Sequence, residues 1–401
     1  MEQVLKSEQI TPNTSLIIDY DQPFRSSKDI CKAFSNALDE KCEIVKYNQT
    51  KTLYKYFHNG ITHYFLAGSI TYLSRPHPLF KKRLQLKKWY KDFYQEYRNK
   101  LNTKIHLIGL YHYDGLIVFV EFAIEDYIAR KLNSSAAHVY SNDIYQAVIN
   151  GCFNKIDRNN NHITSVSSHN FKNYLNGEIK ENSLFELFRK FNNSFCFDKW
   201  IDAKQAILKM KQGNWYQWKG TEWPGWFLEY EVAGFVSREH CETQMLYIGN
   251  IKDASMLDFD LMFPQEHYYG DLKASDISHS EAPGNDQEAV LRAINQCGRL
   301  WYVIYEHETI KDINKNNEMA IERMGLIGTP YVEGERISYA SRMKHSVKFK
   351  RMRIYELNRV NMSEALTVFN QGHQPNGSAR RPKFLINKQN IDNYVVFSYD
   401  A

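Results

Sequence analysis

The sequence predicts an α/β (α+β) fold in two domains, and three observations support this prediction. Short apolar runs typical of strands alternate with segments whose apolar residues recur at helical spacing. In the C-terminal half these segments follow the order helix, strand, strand, helix, strand. A polar stretch rich in Asn and Ser, from 154 to 181, predicts a loop-rich boundary region. We therefore expect an N-terminal α+β domain over residues 1–180 and a mixed sheet flanked by helices over residues 181–401.

Composition limits the classes of protein to consider. Of the 401 residues 43% are hydrophobic, and the net charge of +5 permits a polyanionic partner without resembling a protein that coats nucleic acid. Six scattered cysteines form no CxxC pair and no zinc-binding spacing, which favours reduced thiols in a cytoplasmic protein. The N-terminus does not resemble a signal peptide, and no run of about 18 apolar residues occurs, so we expect neither secretion nor a membrane span.

The N-terminal half contains one basic segment and one hairpin signal. Residues 75–100 carry nine Lys or Arg and two acids, and their aromatic residues recur at helical spacing. This pattern predicts a helix with an aromatic core-facing stripe, whose charged face either meets DNA or is solvated. The apolar runs "IHLIGLY" and "GLIVFVEF" are separated by "HYDG", which predicts a β-hairpin with an Asp-Gly turn.

The C-terminal half begins with the helical segments "SLFELFRKF" and "WIDAKQAILKMKQG". A third helix is predicted around "GWFLEYEVAGFV", where Pro224 suits the first turn. Two strands follow, "SMLDFDLMF" and "HYYGDLKAS", joined by a short turn. The segment "NDQEAVLRAINQCG" predicts a helix with Asn285 or Asp286 as N-cap and Gly298 as its stop, and this helix leads into the apolar strand "LWYVIYEH".

The strand pair predicted in the C-terminal half places acids opposite one another. If the hairpin turns at the centre of "PQEH", Asp260 lies opposite Asp271, Asp258 lies opposite Lys273, and all four side chains share one face. Two facing carboxylates raise one another's pKa unless a cation lies between them, and a divalent ion with hard oxygen ligands removes that penalty. We therefore predict a magnesium site. Glu229 and Glu231 of "FLEYEV" offer a further carboxylate, and Lys273 can orient and help deprotonate a water.

An acid two residues before a lysine is common, so the surrounding elements have to support the motif. Residues 220–307 resemble the PD-(D/E)xK nuclease superfamily, whose core is an acid-bearing helix, a strand with Asp, a strand with (D/E)xK, a crossover helix and another strand. The matching positions are Glu229 or Glu231, then Asp260, then Asp271 and Lys273. The chain departs from the pattern in having no proline before the first acid, and Asp258 remains an alternative to Asp260.

The resemblance implies a restriction-endonuclease-like fold for residues 181–401 and a magnesium-dependent, sequence-specific endonuclease acting on double-stranded DNA. It implies that Asp260, Asp271 and the Leu272 carbonyl hold Mg²⁺, with Mn²⁺ as a substitute, and that Lys273 positions the attacking water. Cleavage would leave 5′-phosphate and 3′-hydroxyl ends, and because two strands need two active sites we expect a homodimer. Two alternatives stay open: a structure-selective or repair nuclease, and a DNA-binding protein without catalysis.

A basic region downstream of the motif predicts where DNA would bind. Residues 336–359 carry eight Lys or Arg and one acid, and "SVKFKRMRIYEL" alternates basic and apolar residues as a strand with one cationic face does. The following "FNQGHQPNGSARRPK" supplies residue types that read base edges, although a solvated loop is an equal alternative. The candidate DNA-binding residues are Arg342, Lys344, Lys348, Lys350, Arg351, Arg353, Gln371, His373, Gln374, Arg380 and Arg381. For residues 1–180 a recognition or regulatory role is the expectation.

Overall fold

The computed structural model describes residues 5–128, 135–157, 159–179, 182–251, 258–337, 343–373, 379–389 and 393–400. The chain forms two compact units, Met1–Lys180 and Glu181–Ala401. Both units combine helices with sheets, so the predicted α+β class is confirmed. No helix in the described ranges is long and apolar enough to cross a membrane. All six cysteines are free thiols.

The strands of the N-terminal unit are β1 (Lys6–Ile10), β2 (Leu16–Tyr20), β3 (Glu43–Tyr47), β4 (Lys51–His58), β5 (Ile61–Ser69), β6 (Thr71–Tyr72), β7 (Lys81–Gln85), β8 (Thr103–Tyr113), β9 (Leu116–Phe122), β10 (Ala136–Tyr140), β11 (Cys152–Ile156) and β12 (His162–Ser167). Its helices are α1 (Ser27–Leu38), α2 (Trp89–Tyr97), α3 (Ile124–Ile128), α4 (Ser141–Asn150) and α5 (Phe171–Leu175), with a 3-10 turn at Ser168–Asn170.

The main sheet of the N-terminal unit has the strand order β11-β12-β9-β8-β5-β4-β3 among the residues described. A cluster of buried aromatic rings, including Phe34, Phe65 and Phe119, packs α1 against this sheet. The hairpin of β8 and β9 turns at Asp114 and Gly115, both with positive φ, as the sequence predicts.

Two predictions for the N-terminal unit are wrong. The basic segment is not one helix, because residues 81–85 form β7 and α2 begins only at Trp89. Lys82 and Leu84 point inward with the period of a strand, and the Lys82 ammonium is buried 2.7 Å from the Asp21 carboxylate. The polar stretch from 154 to 181 is not loop-rich either, since the serines of β12 alternate into the core beside Ile163 and α5 follows.

The strands of the C-terminal unit are β13 (Trp200–Asp202), β14 (Leu246–Tyr247), β15 (Leu261–Phe263), β16 (Tyr268–Asp276), β17 (Glu281–Asp286), β18 (Arg299–Lys311), β19 (Lys344–Asn358), β20 (Leu366–Phe369), β21 (Lys383–Asn387) and β22 (Val395–Asp400). Its helices are α6 (Ser183–Ser194), α7 (Ala203–Gln212), α8 (Trp223–Glu239), α9 (Gln287–Cys297), α10 (Glu318–Leu326) and α11 (Met362–Ala365), with a 3-10 turn at Asp312–Lys315.

The main sheet of the C-terminal unit has the described strand order β13-β19-β18-β16-β15-β14, and β22 also pairs with β19. The strands β14, β15 and β16 are antiparallel neighbours, whereas β16 and β18 are parallel and are connected through β17 and α9. A parallel pair needs such a crossover. Helix α9 has the predicted caps, with Asp286 accepting from the Glu288 amide and Gly298 in the left-handed conformation. Pro224 lies in the first turn of α8 as predicted.

The hairpin between β15 and β16 has the predicted register. Leu261 pairs with Gly270 and Phe263 with Tyr268, so the turn is centred within "PQEH". The first strand is shorter than predicted: β15 contains only three residues, and Asp258 and Asp260 precede it. Residues 252–257 of the predicted strand lie outside the described residues.

A buried ion-pair network connects β16, β18 and β19 on one face of this sheet. The Glu306 carboxylate is fully buried and receives the Lys388 ammonium at 2.8 Å. Arg351 pairs with the same carboxylate, and an Arg353 guanidinium nitrogen lies 3.5 Å from it. Lys388 also donates to the Ser275 hydroxyl at 3.0 Å, so it ties β16 to β18.

We expect Lys388→Met to lower the free energy of unfolding of the C-terminal unit by about 2–4 kcal/mol, because the buried Glu306 carboxylate and Ser275 hydroxyl lose a donor. Urea denaturation followed by tryptophan fluorescence measures this, since six of the seven tryptophans lie in residues 181–401. Lys383→Met, at an exposed position of β21, is the control and should change stability by less than about 0.5 kcal/mol. Equal effects of the two substitutions would contradict the structural role of Lys388.

Candidate active site

The centre of the site is the pair Asp271 and Lys273 on β16. The two side chains share one sheet face because they are two residues apart in a strand. Asp271 is 2% exposed, and its carboxylate forms an ion pair with the Lys273 ammonium. The Asn285 side-chain amide donates to the other Asp271 oxygen at 3.0 Å, and the Tyr302 hydroxyl accepts from the Asn285 backbone at 3.0 Å.

The third residue, Asp260, lies where β15 has not yet begun. The described pairing of β16 with β15 covers only Tyr268 to Gly270, and beyond it the Asp260 carboxylate accepts the Leu272 amide at 2.9 Å. The N–H and C=O groups of one strand residue point to the same side, so the Leu272 carbonyl is directed to the same edge. Asp258 is exposed and only its backbone carbonyl takes part, accepting from Asn285 at 3.2 Å. The predicted alignment of Asp258 with Lys273 is therefore not formed.

Helix α8 contributes Glu229. This side chain is 6% exposed, and the Tyr247 hydroxyl of β14 donates to it at 2.6 Å. Glu231 lies on another side of the helix, where its carboxylate is 2.5 Å from the Lys209 ammonium of α7. The structure thus brings Glu229 to the site and directs Glu231 to an ion pair elsewhere.

The site carries more negative charge than its single lysine can balance. Burial raises the pKa of Glu229 to about 7, and the Asp271 carboxylate adds to the effect. Burial, together with the charges of Asp271 and Glu229, raises the pKa of Asp260 well above its usual range. Burial lowers the pKa of Lys273, but Asp271 and Asp260 outweigh it, so the Lys273 pKa is raised and the side chain is an ammonium.

The donor groups fit a hard divalent cation. Carboxylate oxygens and a backbone carbonyl are the ligands that Mg²⁺ prefers, and a cation would offset the burial and the carboxylate repulsion that raise the pKa of Asp260 and Glu229. Among the residues that the structure describes, no group of three or more His, Cys, Asp or Glu is already arranged as a metal-binding set. Lys273 instead pairs with one oxygen of the Asp271 carboxylate, so an ion bound there would share Asp271 with Lys273 or displace it.

The cationic residues of β19 occupy two environments. Ile304 pairs with both Lys273 and Arg353, which places Arg353 on the same face as Lys273 and two strand spacings, about 10 Å, away. Arg351 is in the next cross-strand row of that face, and both arginines pair with Glu306.

The lysines of β19 have acid partners elsewhere. Lys344 pairs with Glu222 at 2.9 Å, and Lys348 and Lys350 pair with Asp198 at 3.2 and 2.6 Å.

The segment predicted to read bases folds back on itself. The Gln371 amide donates to the Arg381 carbonyl at 3.0 Å, and His373 bridges to Ala379. The Arg380 amide donates to the Gly372 carbonyl at 3.1 Å, and these ends are largely exposed. Arg342 and Gln374 lie outside the described residues.

Sequence reasoning missed two residues that hold the acids in place. The sequence marks Asn285 only as a possible helix cap. In the structure Asn285 lies in β17, and its side-chain amide donates to Asp271. Tyr247 carries no motif, and its role depends on the pairing of the short strands β14 and β15. The position of Asn285 directly before the Asp286 cap is the only signal that could have marked it.

Residues 61–175 match the model of a family described as Methylase-associated X1. The match covers less than a third of the 401 residues and lies entirely in the N-terminal unit. No curated protein and no solved structure matches the chain. The carboxylate site of the C-terminal unit is therefore interpreted from its own geometry.

We expect Glu229→Gln to stabilise the protein in EDTA near pH 8. The folded state holds the Glu229 proton more tightly than the unfolded state, so the free energy of unfolding falls as pH rises from about 4.5 to about 7. Glutamine keeps the Tyr247 hydrogen bond without the charge, so the gain at pH 8 should be about 1–3 kcal/mol and should vanish near pH 4. Chemical denaturation at the two pH values measures both.

Glu231→Gln is the matched control on the same helix. It breaks the ion pair with Lys209 and relieves no crowding, so it should not stabilise the protein at either pH. If Glu229→Gln destabilised the protein at pH 8 as much as at pH 4, the proposed charge crowding would be wrong.

Proposed function

We propose that the protein is a magnesium-dependent DNA endonuclease of the PD-(D/E)xK type. The single observation that carries this proposal is the convergence of Asp260, Asp271 and Lys273 around Leu272 of β16, with excess negative charge. The element order α8, β15, β16, α9, β18 supports it, because it is the order of that superfamily's core.

The proposed reaction assigns a separate role to each residue of the site. Asp260, Asp271 and the Leu272 carbonyl would hold Mg²⁺ or Mn²⁺, and when bound the ion supplies charge neutralisation at the phosphate and activation of a water. Lys273, released from Asp271, orients the attacking water and stabilises charge on the phosphate. As long as Lys273 pairs with Asp271 its pKa is raised, so it enters the reaction as an ammonium and we assign it donation to the water and the phosphate.

The water oxygen forms a bond to phosphorus as the bond from phosphorus to the 3′ oxygen breaks, which leaves 5′-phosphate and 3′-hydroxyl ends. The proton released by the water needs an acceptor whose pKa is near the working pH. Glu229, with a pKa of about 7, is the carboxylate of the cluster that meets this requirement, and solvent protonates the leaving 3′ oxygen.

The family match favours a site-specific enzyme. A segment similar to a family described as methylase-associated suggests a restriction-modification context, in which a methylase protects the sites that the nuclease cuts. In that context the substrate is double-stranded DNA, and cleavage of both strands calls for a homodimer. Arg351 and Arg353 of β19 would contact phosphates on the face that carries Lys273. A structure-selective or repair nuclease would use the same chemistry on branched or single-stranded DNA.

We expect purified protein to cut unmethylated phage or plasmid DNA into discrete fragments with Mg²⁺ and not with EDTA. Lys273→Ala and Asp271→Asn should each lower the cleavage rate at least about 100-fold, because they remove the donor and a ligand of the site. Gel analysis of the fragments and mapping of their ends measure this.

Lys41→Ala is the matched control, because Asp39 and Lys41 have the same spacing as Asp271 and Lys273 but Lys41 is exposed. It should leave cleavage unchanged. Cleavage confined to branched or single-stranded DNA would show a structure-selective nuclease and would contradict a site-specific one. Intact DNA on every substrate, methylated or not, would contradict a nuclease.

A further inference from the structure

The N-terminal unit contains a groove that the proposed nuclease reaction does not use. Its volume is about 360 Å³, within the range of small-molecule sites. The groove lies between α2 and α3, over the start of β8 and the end of β9. Its polar lining includes Tyr94, Arg98, Lys104, His106, Glu121 and Glu125. All of these positions fall within the matched segment 61–175.

The floor of the groove is a fixed chain of hydrogen bonds. The Tyr174 hydroxyl donates to one Glu121 oxygen at 2.7 Å, and His106 Nδ1 lies 2.8 Å from the other. His106 Nε2 is 3.0 Å from Nδ1 of the buried His63, whose pKa burial and His106 lower to about 4. Burial raises the pKa of Glu121, but His106 and these hydrogen bonds outweigh it, so the Glu121 pKa is below its usual value.

Glu121 is therefore an ionised acceptor with capacity left. A carboxylate has about four lone-pair positions, and His106 and Tyr174 use one on each oxygen. A ligand group that donates hydrogen bonds can complete the set. An amino group can donate two hydrogen bonds to Glu121, whereas a hydroxyl can donate one and an acceptor-only group can donate none.

The mouth of the groove carries the opposite charge. Arg98 and Lys104 are exposed, and neither forms an ion pair within the described ranges. Glu125 accepts the Tyr94 hydroxyl at 2.6 Å and keeps its charge, so the two cations and this acid leave the mouth with a net positive charge. Two unpaired cations at one mouth suit a phosphate, and the Tyr94 ring offers a face for a planar group.

We infer that this groove binds a nucleotide whose base carries an amino group, with the phosphate at Arg98 and Lys104 and the amino group at Glu121. A base with one phosphate and an exocyclic amine combines the three features that the groove selects: an anion, a planar ring and N–H donors. Cytosine, adenine and guanine qualify, whereas thymine lacks the amino group. The nucleotide is either free or turned out of a DNA strand, as in proteins that read an extruded base.

The test is calorimetric titration of the full chain in EDTA with dCMP, dTMP, deoxycytidine and inorganic phosphate. We expect dCMP to bind at least about tenfold more tightly than dTMP, a difference of about 1.4 kcal/mol. Arg98→Gln should weaken dCMP about tenfold and leave deoxycytidine unchanged. Glu121→Gln should remove the preference for dCMP over dTMP, which a merely structural role of Glu121 would not do.

Lys100→Gln, an exposed lysine outside the groove lining, is the control and should bind dCMP as the unaltered chain does. Single-stranded oligo(dC) and oligo(dT) distinguish the two sources of the nucleotide. Tighter binding of oligo(dC) than of dCMP, weakened by Arg98→Gln, would support a DNA strand, and binding of dCMP alone would support a free nucleotide. No binding of either, equal binding of dCMP and dTMP, or phosphate binding as tight as dCMP would overturn the inference, whatever the outcome for DNA cleavage.

Discussion

The constraint on which the C-terminal unit depends is the crowding of three carboxylates around one lysine. Asp260, Asp271 and Glu229 are brought together beside β16, and among the described residues Lys273 is the cation that offsets their charge. Such an arrangement costs stability in a protein interior, because like charges repel and burial removes water from them. Protonation of Glu229 and Asp260 lowers this cost in the absence of metal, and a bound cation would lower it in the metal complex.

Four elements besides β16 hold this cluster in place: β14, β15, β17 and α8. The short β15 begins only at Leu261, which leaves the Leu272 amide for the Asp260 carboxylate, and β17 brings Asn285 to Asp271. Helix α8 supplies Glu229, which Tyr247 of β14 fixes. Beside the cluster, the Glu306 network with Lys388 ties the same strands together, so the acids rest on a rigid part of the sheet.

The sequence predicted those features that depend on local patterns. Period-two alternation and the turn at "PQEH" predicted the pairing of β15 and β16. Asp260 lies before the paired residues, and its carboxylate accepts the Leu272 amide. Cap residues predicted α9. The choice of Glu229 over Glu231 required the packing of α8, and the strand β7 was hidden because Lys82 is buried by an ion pair with the distant Asp21. Contacts of this kind leave no periodic signal.

The measurement that tests the central claim most directly is calorimetric titration of the protein with Mn²⁺ in buffers of different ionisation enthalpy, near pH 6 and near pH 8.5. Metal binding to a crowded carboxylate cluster must displace the protons that Glu229 and Asp260 hold. We predict binding at both pH values, with about one proton or more released near pH 6 and fewer near pH 8.5, and loss of binding in Asp271→Asn. Absence of binding, or binding without proton release at either pH, would contradict the account.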